Sequence, residues 1–287
     1  MNTCVTLSNP IDQQLEQVLF KLVSLANKLS VPILLLGATA RDILFFHMHG
    51  IESGRRTMDV DISVQLPDWD AYQRLGEKMR SIGFLNKHDG HAEKFTDEET
   101  SLEVDLLPFG GLAQDGIKIV WPIDQSEWTV TGFQDALNNA LMLSVFCENG
   151  KTHYIPFVSA PALVMLKIIA LNDRPDDRAQ KDADDIAFVI RHYLEIGNRA
   201  RLKAHPDSDI IASVGSDIEL ASATLIGRDM REMASPDSSE YILKILDAEI
   251  ESNSRCYLTR GIKNELCKGD FNRARTILKS LRAGLMR

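Results

Sequence analysis

The stretch Val31-Pro-Ile-Leu-Leu-Leu36, then Gly37-Ala38-Thr39-Ala40-Arg41-Asp42, then Thr57-Met-Asp-Val-Asp-Ile-Ser-Val64 decides how this chain is read. The apolar run predicts a buried strand, the small residues from Gly37 a turn, and Ile43 to His49 the opening of a helix. A loop holding Ser53-Gly54-Arg55-Arg56 leads into the third piece. There the alternation is strict: Met58, Val60, Ile62 and Val64 face one way and Asp59, Asp61 and Ser63 the other. Two carboxylates on one strand face, about 7 Å apart along the backbone, repel unless a cation sits between them. A divalent ion is the usual remedy.

An edge strand carrying two surface aspartates would show the same alternation. What sets this one apart is the turn upstream and a second acidic strand downstream, Ser101-Leu-Glu-Val-Asp-Leu-Leu107. Leu102, Val104 and Leu106 form its buried face, and Glu103 and Asp105 share the other.

Strand, glycine turn, helix and D-x-D strand together resemble the nucleotidyltransferase superfamily of DNA polymerase beta. Gly37-Ala38-x-x-Arg41-Asp42 is similar to the G-G-x-x-R-D turn of CCA-adding enzymes, with Ala38 where that family has Gly or Ser. Further on, Lys167 followed by Arg178-x-x-Lys181-Asp182-x-x-Asp185 resembles the helical-domain motifs of the AbiEii-like toxin nucleotidyltransferases. Leu225-Ile-Gly-Arg-Asp229 also looks like a piece of that family.

The resemblance implies an α+β N-terminal nucleotidyltransferase domain, a small mixed sheet backed by helices, and then a C-terminal helical domain with the cleft between. It implies nucleotidyl transfer from a nucleoside triphosphate such as ATP by the two-metal route, with Mg2+ or Mn2+ held by Asp59, Asp61 and Asp105. Glu103 is the alternative to Asp105. Gly37, Ala38 and Thr39 would present backbone N–H groups to phosphate, with Arg41 or Lys167 neutralising charge. Asp182 and Asp185 would serve the nucleotide site. A toxin of this kind implies an antitoxin partner.

From the residues themselves, Lys167 on a helix apolar nearly all round reads either as a lysine whose head reaches water or as a cation aimed at phosphate. Arg178, Lys181, Asp182 and Asp185 share one helix face, which a solvated, salt-bridged surface would also show.

At 287 residues the chain has room for two domains and ample core. Texture shifts from short strands to long helices near Ser159-Ala-Pro161, which sets the expected boundary at residues 1–158 and 159–287. Composition is that of a globular protein, 44% hydrophobic and 25% charged. Residues 1–5 show no basic segment of a secretory signal, and Phe157 to Leu171 is too short for a membrane span and carries Lys167. The four cysteines lack metal-ligand spacing, so a reducing, cytoplasmic setting is expected. No P-loop and no H-E-x-x-H occurs, although His88 and His91 in an Asp89-Gly90 hairpin turn are a candidate metal pair.

Asn9-Pro10 predicts a helix start, and Pro67-Asp68 another, ended by Gly83. Strands are predicted at Phe84–Lys87, Ala92–Thr96 and Ile117–Trp121. Helices are predicted at Asp217–Arg231, Ser238–Ile250, Tyr257–Lys268 and Phe271–Leu285.

The net charge of −9 is uneven. From Arg255 to Arg287 nine Lys/Arg face two acids, giving +7 and leaving −16 on the rest. The acidic body argues against a general nucleic-acid coat, while Arg275, Lys279 and Arg282 form a stripe that suits RNA or pairs with the body. Two other functions fit the same acids: a small-molecule nucleotidyltransferase of the antibiotic-modifying kind, and an inactive binding module of the fold.

Overall fold

The two acidic strands lie side by side in one sheet. The computed structural model describes residues 4–54, 59–86, 92–113, 115–146, 152–173, 176–251 and 256–286. Met58, Cys147 and the His88/His91 turn fall outside the described residues. The chain divides into two compact units, Met1–Ser159 and Ala160–Arg287.

In the first unit, helix α1 (Gln13–Leu29) lays Val18, Leu19, Leu22, Val23, Leu25 and Ala26 into the core. Its cap is Asp12, whose carboxylate accepts from the N–H groups of Gln14 and Leu15. Asn9, the expected cap, instead donates to the carbonyl of Phe46. The chain from Asn9 thus ties to the helix after β1 before α1 begins.

Strand β1 (Ile33–Leu36) is buried at all four positions, as its apolar run requires. The chain then enters α2 (Gly37–Asp42) without a separate turn and continues as π-helical Ile43–His47. Gly37 has φ +67, a left-handed conformation in which glycine has no side chain to strain. Strand β2 (Asp59–Leu66) follows, and then α3 (Trp69–Arg80), capped by Asp68 through the N–H of Ala71.

The remaining elements of this unit are β3 (Phe84–Leu85), β4 (Lys94–Asp97), β5 (Glu103–Gly110), β6 (Lys118–Val120), β7 (Glu127–Thr129), α4 (Phe133–Asn138), β8 (Leu141–Phe146) and β9 (Thr152–Phe157). Seven strands form a mixed sheet in the order β3-β4-β5-β2-β1-β9-β8, and β6 and β7 pair separately. β2 is antiparallel to β1 and parallel to β5, so both acidic strands sit at the sheet centre. Val60, Ile62, Val64, Val104 and Leu106 are each 1% exposed or less and form the dry face. The strands β8 and β9 were not foreseen from the sequence.

The second unit is helical. It holds α5 (Ala160–Asp173), α6 (Asp176–His192), a 3-10 turn at Asn198–Lys203, α7 (Asp209–Val214), α8 (Ile218–Met233), α9 (Pro236–Glu251), α10 (Tyr257–Leu266) and α11 (Phe271–Met286). α8 and α11 meet at two glycines. A Cβ on Gly227 would come 2.1 Å from the carbonyl oxygen of Leu281, and one on Gly284 2.1 Å from that of Thr224. The glycine of Leu225-Ile-Gly-Arg-Asp229 is therefore required by helix packing. With the mixed sheet and the helical unit, the α+β class expected from the sequence is the one observed.

Candidate active site

Register fixes the acids. Asp61 is paired with Asp105, and Asp59 with Glu103, across the parallel β2/β5 ladder. Residues opposite one another in a ladder point to the same face, so all four carboxylates project together while Val60, Ile62, Val104 and Leu106 turn into the core. Two carboxylates about 5 Å apart at an effective dielectric of 20 repel by roughly 3 kcal/mol. Such a row persists only with cations among it.

One such cation is Lys94, which the sequence reading had not singled out. It sits opposite Asp105 on the other neighbour of β5, and its ammonium lies 3.0 Å from both carboxylate oxygens. Burial alone would lower the Lys94 pKa, but Asp105, with Glu103 and Glu93 nearby, holds it above its ordinary value. Tyr72 from α3 donates to the carbonyls of Ala92 and Leu106 beneath this row. Burial pushes its hydroxyl pKa well up, with Glu93 and Asp105 adding to the shift.

The entry to α2 completes the constellation. Leu36 pairs with Asp61 across β1/β2, so Gly37 lies beside that carboxylate. A Cβ on Gly37 would stand 1.7 Å from Oδ2 of Asp61 and 2.6 Å from its Cγ. The missing side chain is the space that the Asp61 carboxylate occupies. Gly37 and Ala38 are half-buried, and Thr39 is buried with its hydroxyl donating to the backbone carbonyl of Asp59 at 2.7 Å. That bond ties the first turn of α2 to the start of β2.

Arg41 is placed otherwise than the sequence suggested. It is 2% exposed, and its guanidinium donates to Asp42 at 2.8 Å and to the hydroxyl of Ser53 at 3.0 Å. Ser53 in turn donates to Asp42. Arg41 braces the turn from inside, because a buried guanidinium without a carboxylate would be very costly. A cavity of about 590 Å³ opens behind the turn, lined by Asp12, Thr39, Asp42, Phe46 and Val60 among others. Val60 points away from Asp59 and Asp61, so this cavity is not the acid site.

In the helical unit, the Lys167 ammonium lies 2.9 Å from Asp182 and 2.7 Å from Asp185. Its ammonium is thus paired within the helical unit, with the side chain 12% exposed. Burial would lower its pKa, and the two aspartates overcome that and raise it. Asp182 and Asp185 therefore turn inward to Lys167, while Arg178 and Lys181 of the same helix are exposed. Asp229 of the Gly-Arg-Asp piece binds Arg201 at 2.6 Å and accepts from the Tyr193 hydroxyl, and Arg228 binds Asp209. On α11, Arg282 pairs with Asp247, and Arg273 pairs with Asp217 and Glu219.

A divalent metal ion is the group that the nucleotidyltransferase family suggests. The donor set suits it: Asp59 and Asp61 offer hard carboxylate oxygens on one face, and Gly37 lacks the side chain that would collide with the Asp61 carboxylate. Both oxygens of Asp105 are engaged by Lys94. Among the described residues no three His, Cys, Asp or Glu side chains stand together as a group that could hold a metal ion. Nor, among them, is any helix long and apolar enough to cross a membrane.

The model of the nucleotidyl transferase AbiEii toxin family, from type IV toxin–antitoxin systems, matches residues 23–242. No curated protein matches the chain. Among solved structures, an antigenic nucleotidyltransferase-like protein from Paracoccidioides brasiliensis is similar at 16% identity and TM-score 0.39, over 70% of this chain and 92% of its own. The antibiotic-resistance factor ANT(2'')-Ia is similar at 13% identity and TM-score 0.33, over 67% of this chain and 99% of its own. A CCA-adding enzyme in complex with CTP is similar at 12% identity and TM-score 0.29, over 93% and 79%. The family match covers most of the sequence, and the chain belongs to the AbiEii nucleotidyltransferase toxin family.

Proposed function

We propose that this AbiEii-family nucleotidyltransferase moves a nucleoside monophosphate from a nucleoside triphosphate to an acceptor hydroxyl, releasing pyrophosphate. The observation that carries the reading is the β2/β5 register, with Asp59, Asp61 and Asp105 on one face and the Asp61 carboxylate in the space left by Gly37.

Asp59 and Asp61 would hold Mg2+ or Mn2+. When bound, the ion supplies neutralisation of phosphate charge and acidifies the attacking hydroxyl. Gly37, Ala38 and Thr39 would offer the unpaired N–H groups of the first turn of α2 to phosphate oxygens. Thr39 fixes that turn to β2, and Arg41 steadies it from beneath rather than meeting phosphate itself. Asp105 faces the same side and would join Asp59 and Asp61 in holding the ion that lowers the pKa of the acceptor hydroxyl. Lys167, with Asp182 and Asp185, would keep the helical unit in shape.

The test is incubation with each α-labelled triphosphate, Mg2+ or Mn2+, and cell extract. One extract fraction should take up label, and Asp59→Asn and Asp61→Asn should each abolish uptake while leaving the melting temperature unchanged or raised, since repulsion is relieved. Uptake that survives both substitutions would overturn the reading.

A small-molecule acceptor is the second reading. It has its own support, because Arg273 and Arg282 of the basic C-terminal region are already neutralised by acids of the same unit. An antitoxin partner follows from the family's type IV toxin–antitoxin description. Co-expression with the product of an adjacent reading frame tests it: rescue of growth supports the pairing and its absence removes it.

A further inference from the structure

We propose that Lys94 is a built-in counter-cation of the acid site, one that a divalent ion must displace from Asp105. The inference rests on the reading of Asp59 and Asp61 as ion ligands. Its basis is a row of side chains running across four adjacent strands. Lys94 on β4 stands opposite Asp105 on β5, Asp105 beside Asp61 on β2, and Asp61 beside Leu36 at the end of β1, where Gly37 leaves space. Along that row the lysine has taken one carboxylate with both oxygens, at 3.0 Å each.

Lys94 is no distant surface group. Its side chain is 26% exposed and that of Asp105 24%, so the pair is partly withdrawn from solvent and screened less than an open one. An ammonium on a four-carbon stem is a compact point charge that can move, unlike a guanidinium fork fixed on a carboxylate. The charges of Glu103 and Glu93 also act on it. Lys94 thus does two things. It keeps Asp105 turned toward the acid face when no ion is bound, and it competes with the ion for that carboxylate. It is a positioning residue that sets the ion concentration at which the site fills.

The full chain, without nucleotide, is titrated with Mn2+ and the free ion read by electron paramagnetic resonance. Lys94→Gln and, as a second variant suited to a strand, Lys94→Thr should bind Mn2+ about tenfold more tightly than the parent. Lys94→Arg, which keeps the charge, should bind no more tightly than the parent. Affinity that is unchanged or weaker in both Gln and Thr variants overturns the proposal. Asp61→Asn in the same titration separates the two claims. If it removes binding while the Lys94 variants match the parent, only the role of Lys94 fails. If it leaves binding intact, the ion site and the role of Lys94 both fail.

Discussion

Two lysines in this chain each face aspartates, and they are built for opposite ends. Lys167 is closed in: its side chain is 12% exposed, and its partners Asp182 and Asp185 are 3% and 11% exposed. Lys94 and Asp105 are each about a quarter exposed, on a sheet face shared with Asp59, Asp61 and Glu103. In the first group two carboxylates converge on one ammonium, and both are nearly closed off from solvent. In the second the acids outnumber the lysine and the row is open on one side. Burial makes an ion pair obligatory, and partial exposure leaves it exchangeable.

The largest expected effect breaks the closed group. Lys167→Met would leave two inward-facing carboxylates without their cation, and loss of one partner from a buried pair costs about 3–5 kcal/mol. Lys94→Gln should change stability by less than about 1 kcal/mol, the usual range for a partly exposed pair. Urea unfolding of both variants measures the contrast. Equal losses would show that exposure does not distinguish the two groups. Lys167→Arg should recover part of the loss, because a guanidinium keeps the charge but does not fit the ammonium's geometry.

The next effect sharpens the open group by filling its space. In Gly37→Ala the new Cβ would meet Oδ2 of Asp61 at 1.7 Å, at a backbone φ of +67 that alanine disfavours. Label transfer should fall by about 100-fold, the equivalent of roughly 2.7 kcal/mol of barrier, with only a modest drop in stability. Transfer within a few-fold of the parent would mean that Asp61 can move aside without consequence.

The same contrast explains what the sequence made legible. Strict alternation in Val60 to Val64 and Leu102 to Leu106 displays the acid strands, because period-2 burial is a local property. The α+β class follows from those strands and from the long helical stretches after Ala160. Lys94 was invisible because its importance lies in register: nothing local says that position 94 stands opposite 105, or 105 beside 61. Lys167 had the reverse problem. Its motif stood out, but its neighbours Asp182 and Asp185 lie on the next helix, and only the packing of α5 on α6 shows that they turn inward. The strand β8, Leu-Met-Leu-Ser-Val-Phe, is a short apolar run, and periodicity cannot tell such a strand from buried helix.

A third pair lies between the extremes. Asp97 is fully buried, and Lys21, 22% exposed, reaches it at 2.8 Å from α1. Burial would raise the Asp97 pKa, but Lys21 and the N–H and hydroxyl of Thr100 hold it below the ordinary carboxylate value. Burial would likewise lower Lys21, and Asp97 and Glu99 raise it. A depressed carboxylate contributes stability that is present above its unfolded value near 3.8 and is lost as pH falls through the folded value. A raised lysine contributes below its unfolded value near 10.5 and loses that contribution as pH rises through the folded value. Lys21→Met should therefore cost about 2 kcal/mol around neutral pH. The gap to the parent should close on acidification once Asp97 is protonated in both proteins. A gap that stays constant as pH falls from 7 until Asp97 of the parent is protonated would exclude Asp97 as its origin.

The smallest expected effect concerns the basic C-terminal region, where Arg282 and Asp247 are more exposed than the lysine–aspartate pairs above. Arg282 lies against Asp247 with side chains 32% and 43% exposed, and solvent screens such contacts strongly. Replacing Arg275, Lys279 and Arg282 together with Gln removes the row that the sequence offers to a polyanion. If acids of the same unit are its true partners, stability should fall by no more than about 1 kcal/mol, a shift of about 2–4 °C for a chain of this size. Label transfer and its dependence on salt should stay as in the parent. If RNA binds along the row, both would change: transfer would drop, and the slope of log affinity against log salt would lose roughly 0.7–0.9 for each phosphate contact removed. The two outcomes differ in whether transfer and its salt dependence change, so one triple variant assayed at 50 and 200 mM salt separates them. The pairing of Arg282 with Asp247, and of Arg273 with Asp217 and Glu219, favours the first.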